Sequence, residues 1–395
     1  MKILFTGHNA DLYGASRSLL RLASRLVRDG NEIVVALPDD GPLISALKTT
    51  GVDVRILPDM AIAERKSFAS WAGRLSLPAA TLASKKSFVK LIREVKPDIV
   101  HTNSSVILSS GWAASSEKVP HIQHVREFYS DFGKLWPLYR WWLHRYASYV
   151  VCVSEAVAAQ FENRNSVIVF HNGFPRDEFP PVKIECGLRF RARFGIPVDA
   201  PLAGVVGRIK LKRKGQETFI AAAALIHDRF PDARFAIIGS PFAGNEDHEK
   251  ELRRFAGEHG ISDRVIFCGE CDDMGAAYSA LDIVVLASGT PEPFGGVVIE
   301  AMANGRAVIG TDIGGTREQI ANGTTGLLIP PDDPFAMSKA MARLFSDPKY
   351  REEMGDAGQQ RFLQQFEFEP FYEKMTGLYR ETLDWYSRPK KRDLK

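Results

Sequence analysis

Short apolar runs with no polar interruption alternate along this chain with longer segments whose apolar residues recur every three or four positions. The first run, "KILFTG" at 2–7, predicts a strand covered on both faces. The segment 16–30, "SRSLLRLASRLVRDG", has helical spacing and stops at Gly30. "EIVVAL", "DVRIL", "DIVHTN", "HIQHV", "YVVCVS" and "SVIVFHNG" continue the strands to residue 173, with helices such as 85–95 between them. The periodicity fails and prolines cluster in "GFPRDEFPPVKIECG" at 173–187, which predicts a linker. A second series follows, with strands "PLAGVVGRI", "RFAIIGS", "RVIFCG", "DIVVLAS", "RAVIGTD" and "TGLLIP" and helices such as 214–229 and 296–304. The stretch 370–387 is helical and aromatic. Fully apolar strands alternating with helices predict an α/β fold of two doubly wound, Rossmann-like domains in tandem with a cleft between them. The predicted boundaries are 1–180 and 181–369, with 370–395 a final helix crossing back to the first domain.

Composition narrows this picture without changing it. A chain of 395 residues exceeds what one ordinary core supports, which favours two domains. A net charge of +3 gives no reason to expect nucleic-acid binding. The four cysteines, Cys152, Cys186, Cys268 and Cys271, lie mostly in apolar runs, as in a reducing compartment. The apolar part of "MKILFTGHN" is too short for a signal peptide, and no run reaches the roughly 18 apolar residues of a spanning helix. The expected location is cytoplasmic.

In open parallel sheets ligands bind beyond the carboxyl ends of the strands, so the loops there are where chemistry is sought. After the strand "DIVVL" comes "PEPFGGVVIE", 291–300, with Glu292 in a loop and Glu300 about one turn inside a helix starting near Gly295. The helix N-terminus offers unpaired amides, and Gly295 and Gly296 let a phosphate approach the backbone. Carboxylates on either side suit hydroxyls flanking a diphosphate, as in a sugar nucleotide. An unremarkable loop glutamate and helix glutamate would show the same spacing, which alone does not decide. After the strand "AGVV" runs "RIKLKRKG", with Arg208, Lys210, Lys212, Arg213 and Lys214. A basic run is usually a solvated face, but cations at a strand's carboxyl end can neutralise a departing diphosphate. Arg208 and Lys214, beside Gly207 and Gly215, are the better candidates to face inward.

"EPFGGVVIE" resembles the E-x7-E motif of retaining glycosyltransferase family 4, of GT-B fold, and "TDIGGTREQIANGTTGLLIPPDDP" downstream is also similar to it. The likeness is close over most of 200–345 and loose in the N-terminal half. It implies that Glu292 binds donor-sugar hydroxyls and Glu300 the ribose. It also implies that Phe294, Gly295, Gly296 and the amides of Val297 and Val298 lie along the sugar and diphosphate. Arg208 and Lys214 match the family's diphosphate-binding pair, six positions apart instead of five, which leaves Arg213 as an alternative to Lys214. The base would sit by "GECDDM", near the backbone of Met274. "LYGASRSLL" resembles the family's Gly-Gly-Ala turn with Tyr13 in place of the first glycine, so only Gly14 and Ala15 match, and the resemblance implies that these two bind the donor. His124 matches a family histidine near the reacting sugar, although a strand-end histidine is as often satisfied by backbone. His101 and Asn103 rank below it, and "FHNGF" matches a structural turn.

The implied protein transfers a sugar, with retained configuration, from a UDP- or GDP-sugar to a saccharide or lipid-linked acceptor, with catalysis by His124, Glu292, Arg208 and Lys214. No cofactor or metal is expected, since Asp-x-Asp occurs nowhere and Cys268-x-x-Cys271 lacks a second ligand pair. "GHNADLYG" is not G-x-G-x-x-G, which argues against a nicotinamide dehydrogenase. A non-hydrolysing sugar-nucleotide epimerase and an inactive sugar-nucleotide-binding protein remain alternatives. "KLWPLYRWWLHRYASY" at 134–149 and the basic stretch 85–96 are candidates for peripheral membrane contact, against the plainer reading of an aromatic-packed helix with a basic outer face.

Overall fold

A computed structural model describes residues 1–63, 71–129, 133, 135–162, 165–180, 184–242 and 244–387. Lys134 of the aromatic–basic stretch, residues 181–183 of the predicted linker and residues 388–395 of the final segment lie outside these. The chain divides into two compact units. One comprises Met1–Gly173 together with the C-terminal helix from Glu369, and the other comprises Phe174–Phe368.

The first unit runs β1 (Lys2–Thr6), α1 (Gly14–Arg28), β2 (Glu32–Leu37), α2 (Pro42–Thr49), β3 (Asp53–Ile56), α3 (Trp71–Val95), β4 (Ile99–Thr102), α4 (Ser109–Ser116), β5 (His121–Val125), α5 (Trp136–Tyr146), β6 (Tyr149–Cys152), α6 (Glu155–Ala158) and β7 (Val167–Val169). Its sheet is parallel, in the order β3-β2-β1-β4-β5-β6-β7. The order reverses between β1 and β4, where Phe5 is in register with His101. The central strands are buried, which is why they read as unbroken apolar runs. The C-terminal helix (Phe368–Ser387) is tied to this unit by polar contacts. Tyr372 donates to Asp29, Glu369 pairs with Arg25, and Tyr379 is hydrogen-bonded to His101 Nδ1 at 2.6 Å.

The second unit runs α7 (Ile184–Arg193), β8 (Leu202–Val206), α8 (Gln216–Ala224), β9 (Arg234–Ile238), α9 (Asp247–Glu258), β10 (Val265–Gly269), α10 (Met274–Ala280), β11 (Ile283–Leu286), α11 (Gly296–Ala303), β12 (Ala307–Thr311), α12 (Thr316–Gln319), β13 (Leu327–Ile329), α13 (Pro334–Ser346) and α14 (Pro348–Arg361). Its sheet is again parallel, in the order β10-β9-β8-β11-β12-β13. Alternate residues feed two cores: Ala203, Val205, Ile283 and Val285 pack on one face, and Leu202, Val206, Val284 and Leu286 on the other. This is the doubly wound order, with its switch point between β8 and β11.

Two segments differ from the sequence reading. The helix expected over 214–229 spans only Gln216–Ala224: Gly215, with φ +68, starts it after the basic loop, and residues 225–229 form turns. The stretch 173–187 is not wholly irregular: Arg176–Glu178 form a 3₁₀ turn, and α7 begins at Ile184.

Candidate active site

At the switch point of the second unit, the loops after β8 and β11 are fastened together by glycine. A Cβ on Gly215 would stand 1.9 Å from the carbonyl oxygen of Ala287, so only glycine lets the two loops touch. The Gly289 amide also donates to the Arg213 carbonyl at 3.1 Å. This contact carries Lys214 to the neighbouring loop, where its Nζ donates to Glu292 Oε1 at 2.5 Å. Ser288 Oγ donates to the same oxygen at 2.6 Å. The Glu292 side chain is only 18% exposed. Burial pushes its carboxyl pKa up, but the Lys214 charge, the bonds from Lys214 and Ser288 and the nearby Arg213 charge prevail and hold it below the usual value. Glu292 is therefore a fixed anion at neutral pH.

The backbone at Glu292 rests on the turn between β12 and α12. The Gly315 amide donates to the Glu292 carbonyl at 2.8 Å. A Cβ on Gly314 (φ +58) would lie 2.5 Å from that carbonyl oxygen, and one on Gly315 would lie 2.2 Å from that of Pro293. Thr311 Oγ1 donates to the Ser288 carbonyl at 2.9 Å, and buried Gln319 Nε2 to the Gly295 carbonyl at 2.8 Å.

Helix α11 begins without a side-chain cap, after Gly295 in an extended conformation. Its first amides, from Gly296 to Val298, have no partner within the helix and can receive an anion. The valine side chains serve the core instead: Val298 is fully buried and Val297 packs against the same cluster. Glu300 lies in the second turn, and its Oε2 accepts from Tyr278 Oη at 2.8 Å. The other oxygens of the two carboxylates border the glycines. Glu292 Oε2 is 3.3 Å from where a Gly295 Cβ would be, and Glu300 Oε1 is 3.2 Å from that of Gly296. Phe294 stands edge-on to Phe366 at 5.9 Å, Met274 opens α10 behind the Asp273 cap, and the Arg208 guanidinium lies 5.1 Å from the Phe242 ring.

Of the predicted residues in this unit, the structure thus joins Lys214 directly to Glu292 and sets Gly295 and Gly296 between the two carboxylates. Arg213 contributes charge rather than a hydrogen bond to Glu292. Ser288, Tyr278 and Gln319 went unread in the sequence. Ser288 could have been found, since it follows a strand's carboxyl end four residues before Glu292. Tyr278, buried mid-helix among alanines, gave no such signal.

In the first unit Gly14 opens α1 after the exposed Tyr13, with nothing within 4 Å of a Cβ there. The Ala15 carbonyl accepts from Asn103 Nδ2 at 2.9 Å, which ties the loops after β1 and β4. His124 is fully buried, its ring 5.5 Å from that of His101, and its Nε2 has no hydrogen-bond partner among the described residues. Burial, then the charges of Arg126 and His101, hold its pKa well below the usual value, so the ring is neutral. Arg126 donates to Asn103, Asn172 and Ser18 at 3.2, 2.6 and 3.0 Å and to His124 Nδ1 at 3.4 Å. All four cysteines are free thiols, and burial pushes Cys268 up to about 12. No group of three or more metal-ligating side chains occurs among the described residues.

Two successive Rossmann-like sheets, the second with an acidic pair astride a glycine-led helix, define the class of GT-B proteins. The same fold is seen in HepE of Anabaena in complex with UDP, with TM-score 0.83 and 23% identity over 96% of this chain and 100% of that one. Sucrose-phosphate synthase of Thermosynechococcus elongatus shares it too, with TM-score 0.76 and 23% identity over 98% and 100%. Residues 13–178 match Glycosyltransferase Family 4, and residues 188–361 match Glycosyl transferases group 1. The chain thus joins a Glycosyltransferase Family 4 domain to a Glycosyl transferases group 1 domain. A D-inositol 3-phosphate glycosyltransferase of Corynebacterium urealyticum is 33% identical over 218 residues, 54% of this chain and 51% of the relative. An alpha-D-kanosaminyltransferase of Streptomyces kanamyceticus is 32% identical over 193 residues, 48% of each. The chain thus spans about half the length of the curated relatives it matches.

Proposed function

We propose that the protein transfers a sugar from a nucleotide-sugar donor to an acceptor hydroxyl with retained anomeric configuration. The observation that carries this is the ionised Glu292, fixed by Lys214 and Ser288, with Gly295, Gly296 and the amides of α11 between it and Glu300. In this reading the diphosphate lies on the α11 amides, Glu300 takes the ribose hydroxyls and Glu292 the donor-sugar hydroxyls. The base lies by Met274. The acceptor oxygen attacks the anomeric carbon on the face from which the diphosphate leaves. The bond from that carbon to the phosphate oxygen breaks, and the departing phosphate takes the acceptor proton. Lys214 and Arg208 neutralise the growing charge, which is the work a metal ion would otherwise do, and Glu292 positions rather than attacks. Gly14 and Ala15, which we assign to donor binding, and neutral His124 belong to the first unit, to which we also assign the acceptor. UDP-sugars are the first donors to test, since HepE binds UDP-glucose. A nucleotide sugar at 100 times its Kd is expected to stabilise the fold by about 2.7 kcal/mol, read as a rise in melting temperature. If no UDP-, GDP-, ADP- or TDP-sugar raises it, the reading fails. Conversion of donor with no acceptor present would reveal an epimerase instead.

We further propose that the first unit rests on an anionic bilayer surface. No helix of the described residues is long and apolar enough to cross a membrane. Three helices nevertheless share an aromatic–basic patch: Lys85 of α3 lies 4.2 Å from the Trp112 ring of α4, which meets Trp142 of α5 at 5.4 Å. Leu138 and Trp141 beside it are 63% and 54% exposed, Leu82 is exposed one turn before Lys85, and Lys86 and Arg145 are exposed. Exposed apolar side chains ringed by cations suit anionic headgroups, each cation contributing about 1 kcal/mol near the surface. The protein is expected to sediment with vesicles containing phosphatidylglycerol but not with phosphatidylcholine alone, and Leu138→Ala/Trp141→Ala to reduce that binding about tenfold. No sedimentation with either vesicle would refute the contact.

A further inference from the structure

The Glu300 carboxylate does not stand alone on its helix. Tyr278, in the middle of α10 and 1% exposed, directs its hydroxyl at Glu300 Oε2, 2.8 Å away. It is a donor brought from a different helix. Helix α10 is also the helix whose first residue is Met274, beside the loop assigned to the base, and its start is fixed by the Asp273 cap on the Ala276 amide at 2.9 Å. The interior of α10 is buried at Ala276, Ala277 and Ala280, so the tyrosine ring has little room to turn.

This arrangement gives the two oxygens of Glu300 different roles. Oε2 is engaged by Tyr278. Oε1 borders Gly296, where a Cβ would come within 3.2 Å of it. A glutamate side chain has three rotatable bonds, and without an anchor its carboxylate would sample several orientations. Anchored through Oε2, it presents Oε1 toward the glycine at the head of α11 before any ligand arrives. A ribose differs from a deoxyribose by one hydroxyl, so a carboxylate fixed in advance rewards the ribose and leaves the deoxy sugar without that bond.

We infer that Tyr278 is a positioning residue that sets the selectivity of this site for ribonucleotides over 2′-deoxyribonucleotides, by holding Glu300 through Oε2 so that Oε1 meets the ribose. The inference rests on the assignment of Glu300 to the ribose. It makes α10 a shared support for two parts of one ligand, the base at its first turn and the ribose through Tyr278. A purely structural role for Tyr278 would weaken ribo and deoxy ligands alike, and the ratio of the two affinities separates these roles.

The test measures Kd by calorimetry for UDP and 2′-deoxy-UDP, and for GDP and 2′-deoxy-GDP, taking the base that binds more tightly. Wild type, Tyr278→Phe and Glu300→Gln are compared, each first checked for an unchanged far-UV spectrum and cooperative melting. The wild type is expected to favour the ribonucleotide at least tenfold. Tyr278→Phe, which keeps the ring and loses only the hydroxyl, is expected to weaken the ribonucleotide about tenfold and the deoxynucleotide less than twofold, as expected for a lost charge-assisted hydrogen bond. A Tyr278→Phe protein with the wild-type ratio, alongside a Glu300→Gln protein that has lost it, overturns the role of Tyr278 and leaves that of Glu300 standing. A wild type that binds both nucleotides equally, or a Glu300→Gln protein that still discriminates, overturns the ribose assignment itself and the inference with it.

Discussion

Lys214→Ala is expected to lower the turnover of sugar transfer by about 10²–10³, the range seen when one preorganised donor is removed from a developing negative charge. Two consequences of the geometry combine in that loss. The departing diphosphate loses a cation, and Glu292 loses the hydrogen bond that fixes its Oε1. Ser288 still donates to that oxygen, so the carboxylate is loosened rather than released. The fold should survive. The pair is partly exposed, with Lys214 at 30%, so solvent screening reduces its worth from that of a fully buried pair to about 1–2 kcal/mol. Steady-state kinetics with a matched donor and acceptor, together with a thermal melt, checks both halves. Turnover within about threefold of the wild type would remove Lys214 from the chemistry. Arg213→Ala provides the comparison: it removes charge near Glu292 without removing a bond to it, and should cost much less.

The contrast between Lys214 and Arg213 shows what the sequence could and could not tell. Strand ends are legible because burial on both faces leaves unbroken apolar runs, and the loops after β8 and β11 could be located from those runs alone. Which of five basic side chains reaches Glu292 could not be read, because it depends on one backbone contact. Gly215 meets the carbonyl of Ala287 and so turns Lys214 toward the next loop. Spacing counted from Arg208 left Arg213 and Lys214 both open, and the choice is made by a glycine in the left-handed region. The glycines at 314 and 315 are similar: the sequence marks the stretch, and only the fold shows that it carries the Glu292 backbone. Tyr278 lies at the other extreme. A buried tyrosine in an alanine-rich helix reads as core, and its partner is a residue of a different helix, 22 positions away. His124 shows the limit in the other direction. Its place at the end of β5 is legible, but its full enclosure and its contact with Arg126 come from packing among β4, β5, α1 and the turn at Asn172.

The second large effect is expected for Glu292→Gln, which preserves shape and removes charge. Transfer should fall by about 10³, because an amide can still receive the Lys214 and Ser288 bonds through its oxygen but turns an NH₂ group toward Gly295 where a carboxylate oxygen stood. The same substitution tests the electrostatics independently of activity. The Glu292 pKa is lower in the folded protein than in the unfolded chain, since the Lys214 charge, the two hydrogen bonds and the Arg213 charge together outweigh burial. A carboxyl with a depressed folded pKa contributes stability above its unfolded pKa, about 4.3 for a glutamate, and loses that contribution as pH falls through the lower folded value. The stability difference between wild type and Glu292→Gln should therefore be constant from pH 7 to about 5 and shrink below about pH 4.3. In Lys214→Ala the main opposing cause is gone and burial is opposed only by Ser288 and Arg213. The folded pKa then rises toward or past the unfolded value, so the acid loss attributable to Glu292 should be smaller than in the wild type, or absent. Thermal melts of the three proteins between pH 3 and 7 provide the comparison. A difference that does not vary with pH would mean that the Lys214–Glu292 bond does not hold the carboxylate in its charged form. In that case the fixed anion at the head of α11, on which the assigned role of Glu292 depends, would have to be given up even if transfer were lost.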